Sequence, residues 1–450
     1  MKIVQLTPGA GAMFCGNCLR DNSLTGALRA CGADVLLVPL YLPLHTDEPD
    51  QSGGTPVFFG GINVYLQQKN VLFRKLPNWL DRWIDARALL NLAAKSATKV
   101  RPEDLGELTL SMLRGEEGLQ VKELERLTEW LKGQPKPDVI VLSNILLAGM
   151  ARRLKQELKV PVISTLQGED YFLDGMPEPF RTQAWAETKA RAAELDGFIA
   201  VSRYYGAEMA RRLELRPGLV HVVHNGIDVS GYTHEPAVPE RPTLGYFARM
   251  CPEKGLATLI DAFLLLRARP EFQTLRLRIG GSCTGTDEDF VAALRAKLAG
   301  AKAREAVDWH PNLDRAQKLA FFHGLTAFTV PAAYGEAFGL YLLEAQAAGV
   351  PVVQPQHAAF PELLERLGGG RLYAGTDAAA LAEALAALLS APAEAQLLGA
   401  AGRRAVLEYF SMDAMARGAL RAYERVLSGE PAPDWPVAAP KTQFAVRATP

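Results

Sequence analysis

Short apolar runs, many of them β-branched, alternate along the chain with longer stretches of helical pattern. Strands are predicted over Lys2–Thr7, Asp34–Leu40, Val139–Leu142, Val162–Leu166, Gly197–Val201 and Val220–His224. The pattern begins again at Thr243–Ala248 and continues through Leu275–Ile279, Val307–Trp309, Ala327–Val330 and Val352–Gln354. Such alternation predicts an α/β fold whose parallel sheets are covered by helices on both faces. Between the halves, "THEPAVPERP" (Thr233–Pro242) has three prolines and mixed charges and reads as a linker. The chain is therefore read as two α/β domains, 1–236 and 243–410, joined near residue 237. Two further segments break the alternation. Arg74–Lys132 has no convincing strand and reads as helices inserted into the first domain. Residues 429–450 are rich in Pro and Ala without periodicity and read as a disordered tail.

Composition narrows the class. The chain has 450 residues, 48% of them hydrophobic, so each domain can bury its own core. A net charge of −1 argues against a general nucleic-acid partner. Five cysteines (Cys15, Cys18, Cys31, Cys251 and Cys283) are too few for a disulfide scaffold and fit a reduced compartment. The N-terminus enters a strand directly, without a secretory-signal pattern. The apolar windows "DVLLVPLYLPL" and "VIVLSNILLAGMA" are too short to span a bilayer. A cytoplasmic protein is expected, with contact at the inner membrane face left open.

The richest chemistry lies in the second half. "YGEAFGLYLLEAQAAGVPVV" (Tyr334–Val353) sets Glu336 in a loop and Glu344 in the following helix, which Gly349 ends. The N–H groups of Phe338, Gly339 and Leu340 at the helix start form an anion site. One carboxylate can take sugar hydroxyls and the other a ribose diol, because each accepts two donors. The alternative is a dipole-complementing Glu336 and a surface Glu344. "GYFARMCPEKG" puts Arg249 and Lys254 in one loop after a strand, where open α/β sheets bind ligands. Arg grips a diphosphate bidentately and Lys adds a point charge, so a diphosphate leaving group is stabilised without a metal.

The segment from Thr243 to Phe410 resembles the donor domain of retaining family-4 glycosyltransferases, which have the GT-B fold. The resemblance is carried by Glu336-x7-Glu344, its flanks "EAFGL" and "EAQAAGVPVV", the Arg249-x4-Lys254-Gly loop, and "VVHNGID" (Val222–Asp228). It implies two facing Rossmann-like domains with a nucleotide-diphosphate sugar bound in the cleft between them. It also implies diphosphate contacts from Arg249 and Lys254, a sugar contact from Glu336 and a ribose contact from Glu344. Phe338, Gly339 and Leu340 would face the sugar or phosphates through their N–H groups. The leaving phosphate itself would take the acceptor proton, no metal would be needed, and a last helix, 411–428, would cross back onto the first domain.

In the first half, Gly9 and Gly11 follow the first strand, but Phe14 stands where a dinucleotide fingerprint needs a third glycine. The two glycines suit the family's loop that closes on donor phosphates, or else a plain tight turn. Cys15-x-x-Cys18 lacks zinc-ligand partners and reads as packing on the acceptor side, with redox work as the alternative. Asn17, Arg20 and Asp21 share the early helix and are candidates to meet substrate. "STLQGEDYF" (Ser164–Phe172) has Gln167 where many family members have a sugar-contacting His. Glu169 and Asp170 either serve an acceptor or cap the next helix. Asp287-Glu288-Asp289 resembles a metal-binding triplet but reads better as helix capping. The seven histidines show no metal spacing. Trp79 and Trp83 lie on an apolar stripe read as core, or as an acceptor or membrane surface.

These readings converge on a metal-independent, retaining glycosyltransferase that moves a sugar to a hydroxyl of a glycan, lipid or small molecule. The alternatives are a GT-B sugar phosphorylase or sucrose-synthase-like enzyme, and a non-catalytic nucleotide-sugar binder.

Overall fold

The structure, a computed structural model, describes residues 1–9, 16–44, 48–59, 102–232 and 241–433. It divides into two compact units. The first comprises Met1–His224 with Met415–Pro436, and the second spans Asn225–Ala414. The division falls at His224–Asn225, upstream of the proline-rich stretch, because "NGID" already packs on the second unit. Ile227 N–H donates to Phe410 O at 2.9 Å, and a Cβ on Gly226 would lie 2.4 Å from Ser411 O.

The first unit holds a six-stranded sheet of β1 (Lys2–Thr7), β2 (Asp34–Pro39), β3 (Val139–Leu142), β4 (Val162–Leu166), β5 (Gly197–Ala200) and β6 (Val220–Val222). All its pairings are parallel, in the order β2-β1-β3-β4-β5-β6. Strands β3, β4 and β5 are buried at every residue, as helices on both faces require, and Ser164 and Thr165 of β4 are the polar residues buried among them. The part of the insertion described here forms two helices, Pro102–Arg114 and Val121–Lys132. Its remainder, with the Trp79–Trp83 stripe, lies outside the described residues.

The second unit repeats the plan with β7 (Thr243–Phe247), β8 (Arg276–Gly281), β9 (Val307–Pro311), β10 (Ala327–Phe328), β11 (Val352–Pro355) and β12 (Gly370–Tyr373). The order is β12-β11-β10-β7-β8-β9, again parallel. Strand order reverses between β10 and β7, so the loops leaving these two strands diverge and open a crevice at their carboxyl ends. Only β12 escapes the sequence pattern, because Gly-Arg-Leu-Tyr has a single aliphatic residue and no apolar run.

The last helix, Met412–Ser428, buries Met415, Ala416, Ala419, Ala422 and Tyr423. Gly197 lets it approach β5, since a Cβ there would come within 2.9 Å of Val426. The expected disordered tail is corrected at its start: Ala432 is buried, and its N–H donates to Gly218 O at 2.7 Å. Residues 434–450 lie outside the described residues. Among the described residues no single helix is long and apolar enough to cross a membrane.

Candidate active site

The loop after β7 is fixed from several sides. The buried Tyr246 hydroxyl donates to Arg249 O at 3.1 Å, and Met250 N–H donates to Ser282 O at 2.9 Å. A 3-10 turn, Pro252–Lys254, ends on Gly255 with φ 72°. A Cβ at Gly255 would lie 1.9 Å from Pro331 O, so glycine is required for this loop to lie against the one leaving β10. Ala333 N–H closes the contact on Glu253 O at 3.1 Å.

That contact delivers Lys254 to Glu336. Nζ donates to Glu336 Oε2 at 2.6 Å and also to the Tyr334 hydroxyl. The phenols of Tyr334 and Tyr341 donate to the same Oε2 at 3.0 and 2.9 Å. Nζ lies 4.8 Å from the Tyr334 ring centre and 5.6 Å from that of Tyr341, within cation–π range. Burial, reinforced by the Glu336 charge, lifts the Tyr341 hydroxyl well above its ordinary range, so it stays a neutral donor.

Arg249 is the more exposed cation, its side chain 52% accessible. Its Nε and Nη2 grip Asp287 Oδ1 at 3.1 and 2.9 Å, and Thr284 N–H and Oγ hold Asp287 Oδ2 at 3.0 and 2.8 Å. Burial alone would raise the Asp287 carboxyl, but the bonds from Arg249 and Thr284 outweigh it and hold it below its usual range. The triplet does open a helix, with Asp287 at the N-cap position and Glu288 and Asp289 in the first turn, but the Asp287 side chain bonds no helix N–H and serves Arg249 instead. Sequence reasoning missed it because the two residues are 38 positions apart.

Gly339, at φ 95°, precedes the helix Leu340–Ala347, whose N-terminus has no side-chain cap. The N–H groups of Phe338, Gly339 and Leu340 lie at this start. Glu344 is largely buried and pairs with Lys318 Nζ at 2.8 Å, so it is not a bland surface residue. Lys318 was not foreseen. It comes from the helix Arg315–Phe322 after β9, and nothing in its local sequence marks it.

The first-unit candidates stand differently. A Cβ at Gly9 (φ 72°) would meet Leu42 O at 1.8 Å, so close backbone packing accounts for this glycine. Gly11 and Cys15 lie outside the described residues, and Cys18 is a buried thiol on helix Gly16–Ala30. Asn17 is half-buried there, whereas Arg20 and Asp21 point inward. Asp21 is fully buried and accepts from Arg20 Nη1 and Thr7 Oγ, each at 2.9 Å, and from Ser143 Oγ. The expectation that Arg20 and Asp21 meet substrate is thereby corrected: they lock the helix to the ends of β1 and β3.

Gln167 Nε2 donates to Ser143 O at 2.6 Å. Buried Glu169 folds back to accept from the N–H groups of Gln167 and Gly168 at 2.8 and 3.0 Å and from Tyr205 OH at 3.0 Å. Asp170 shares that phenol at 3.0 Å. Desolvation raises both carboxyls, against the bonds that favour their charged forms. Glu169 thus braces the turn into its helix. Among the described residues, no group of three or more His, Cys, Asp or Glu is gathered as metal ligands.

Two parallel six-stranded sheets of this order are the GT-B fold. Sucrose-phosphate synthase of Thermosynechococcus elongatus superposes with a TM-score of 0.67 at 18% identity, over 95% of this chain and all (100%) of that one. HepE of Anabaena, solved in complex with UDP, gives 0.65 at 16% identity, over 94% and 100% of the two chains. Family models for glycosyl transferases group 1 and glycosyltransferase family 4 match residues 234–405 and 105–230. A glycogen synthase of Mycobacterium tuberculosis is 30% identical over 331 residues, 71% of this chain and 76% of that protein. The chain belongs to the family-4 glycosyltransferases, and it is a glycosyltransferase by enzyme class.

Proposed function

We propose that the protein is a metal-independent, retaining hexosyl- or N-acetylhexosaminyltransferase that uses a nucleotide-diphosphate sugar and a hydroxyl acceptor. The observation that carries this reading is the convergence of Lys254 and Glu336 at the β10–β7 switch point, with Arg249 on the same loop as Lys254. HepE, which shares the fold, has been solved with UDP and with UDP-glucose, and this supports a donor of that type. In this reading Arg249 and Lys254 contact the diphosphate, and Glu336 contacts the sugar. Glu344 contacts the ribose, and the N–H groups of Phe338, Gly339 and Leu340 face the sugar or phosphates. As the bond from sugar C1 to phosphate oxygen breaks, its electron pair goes to the diphosphate, whose charge the two cations oppose. The acceptor oxygen bonds to C1 from the same face, and its proton passes to the departing phosphate oxygen. The charge needed at the leaving group thus comes from side chains. Gln167, Glu169, Asp170 and Asn17 belong to the acceptor side, with Glu169 acting through the turn that carries Gln167. We place the reaction in the cytoplasm, either free or at the membrane surface.

Calorimetry of UDP, GDP and ADP in the presence of EDTA tests the donor site. One nucleotide should bind, and Lys254→Ala should weaken it at least tenfold, about 1.4 kcal/mol. Binding that needs a divalent metal, or that ignores Lys254→Ala, contradicts the reading.

A further inference from the structure

Three donors converge on a single oxygen of Glu336. Lys254 Nζ, Tyr334 OH and Tyr341 OH all bond Oε2, at 2.6, 3.0 and 2.9 Å, and Oε1 takes no part in these bonds. Glu336 itself is only 9% exposed. Yet Lys254 and Glu336 are assigned to different parts of the donor. When Lys254 turns to a diphosphate, Glu336 loses its cation. A nearly buried carboxylate stripped of its partner is strongly destabilised unless other donors remain. Two phenols remain here. Tyr341 suits the task because it is buried on the first turn of the helix Leu340–Ala347, and its hydroxyl bonds Glu336. Tyr334 is half-buried and shares its hydroxyl between Lys254 and Glu336, so it bridges the two states.

Resting on the donor-site reading above, we propose that Tyr341, assisted by Tyr334, is a positioning residue for Glu336. The two phenols pin Oε2 while Lys254 exchanges to the diphosphate, and this keeps Oε1 turned toward the sugar hydroxyls. Tyr341 touches no part of the donor; it acts through the carboxylate. Its effect therefore belongs to the sugar and not to the nucleotide.

The test compares free UDP, GDP and ADP with their glucose and N-acetylglucosamine conjugates by calorimetry. The variants are Tyr341→Phe, Tyr334→Phe, Glu336→Ala and Glu336→Ala/Tyr341→Phe. Tyr341→Phe should bind the free nucleotide within about twofold of the parent, which also reports an intact fold, and should bind the preferred conjugate at least fivefold more weakly. Tyr334→Phe should show a smaller loss of the same kind. In the Glu336→Ala background, Tyr341→Phe should change nothing further. Equal weakening of nucleotide and conjugate marks a merely structural residue and overturns the inference. So does a loss that persists without Glu336, no loss at all, or a parent that binds conjugate no better than nucleotide. A parent that binds no nucleotide overturns the donor-site reading itself, and the inference with it.

Discussion

The two sheets each reverse their strand order once, between β1 and β3 in the first unit and between β10 and β7 in the second, and they use the reversal differently. At the first, polar groups are sealed in. Asp21 has no exposure and takes bonds from the end of β1, from the residue after β3 and from its neighbour Arg20. At the second, charges stay partly in water. Arg249 is half-exposed, and Lys254 and Glu336 have side-chain exposures of 20% and 11%. Among the described residues, the same topology thus sets a buried polar lock beside one switch point and, at the other, charges that still have hydrogen-bonding atoms to offer. A switch point shows where a ligand can go.

The largest expected effect falls on the lock. Asp21→Ala removes the buried acceptor shared by Arg20, Thr7 and Ser143 and should cost about 3–5 kcal/mol of stability in denaturant unfolding, with nucleotide affinity per folded molecule unchanged. Weakened nucleotide binding would erase the contrast between the two crevices. Glu336→Gln should lower the transfer rate roughly 10²–10³-fold, as loss of one preorganised partner does, while the protein melts near the parent temperature. Full activity in that variant would remove Glu336 from the working group. Asp287→Asn loosens the anchor of Arg249 and should weaken nucleotide binding several-fold. Tighter binding would mean that Asp287 competes with phosphate.

The smallest effect concerns Glu169. Burial raises its carboxyl above the ordinary 4.5, so the folded protein holds that proton more tightly than the unfolded chain. Its contribution to stability is then fullest below 4.5 and is lost as pH rises through the folded value. Glu169→Gln cannot titrate, and its melting temperature should fall less than the parent's between pH 4.5 and neutrality. Parallel curves would show that folding leaves the Glu169 carboxyl unshifted.

Much of the fold was legible because parallel strands are short apolar runs, and eleven of the twelve strands carry that mark where expected. The Glu336–Glu344 element and the Arg249–Lys254 loop were legible because their chemistry lies in local spacing. What was hidden depends on distant partners. Asp287 does stand at a helix N-cap, and only the fold shows that its side chain holds Arg249 across the β8 loop. Tyr341 looked like core filler on an apolar helix, and its hydroxyl has meaning only beside Glu336. Asp21 looked like a ligand because a polar residue on an early helix gives no sign of which way it faces.

Gly255 has a consequence for how such an enzyme can be altered. With its φ of 72° and no room for a Cβ against Pro331 O, it joins the loop that carries Lys254 to the loop that carries Glu336. The two loops are packed backbone against backbone at this joint. A substitution within 331–336 made to change which sugar is taken would also shift the ammonium expected to steady the departing phosphate. Selectivity and rate are mechanically geared at this point. Re-engineering for a new sugar is better begun at positions that reach the donor without passing through this joint.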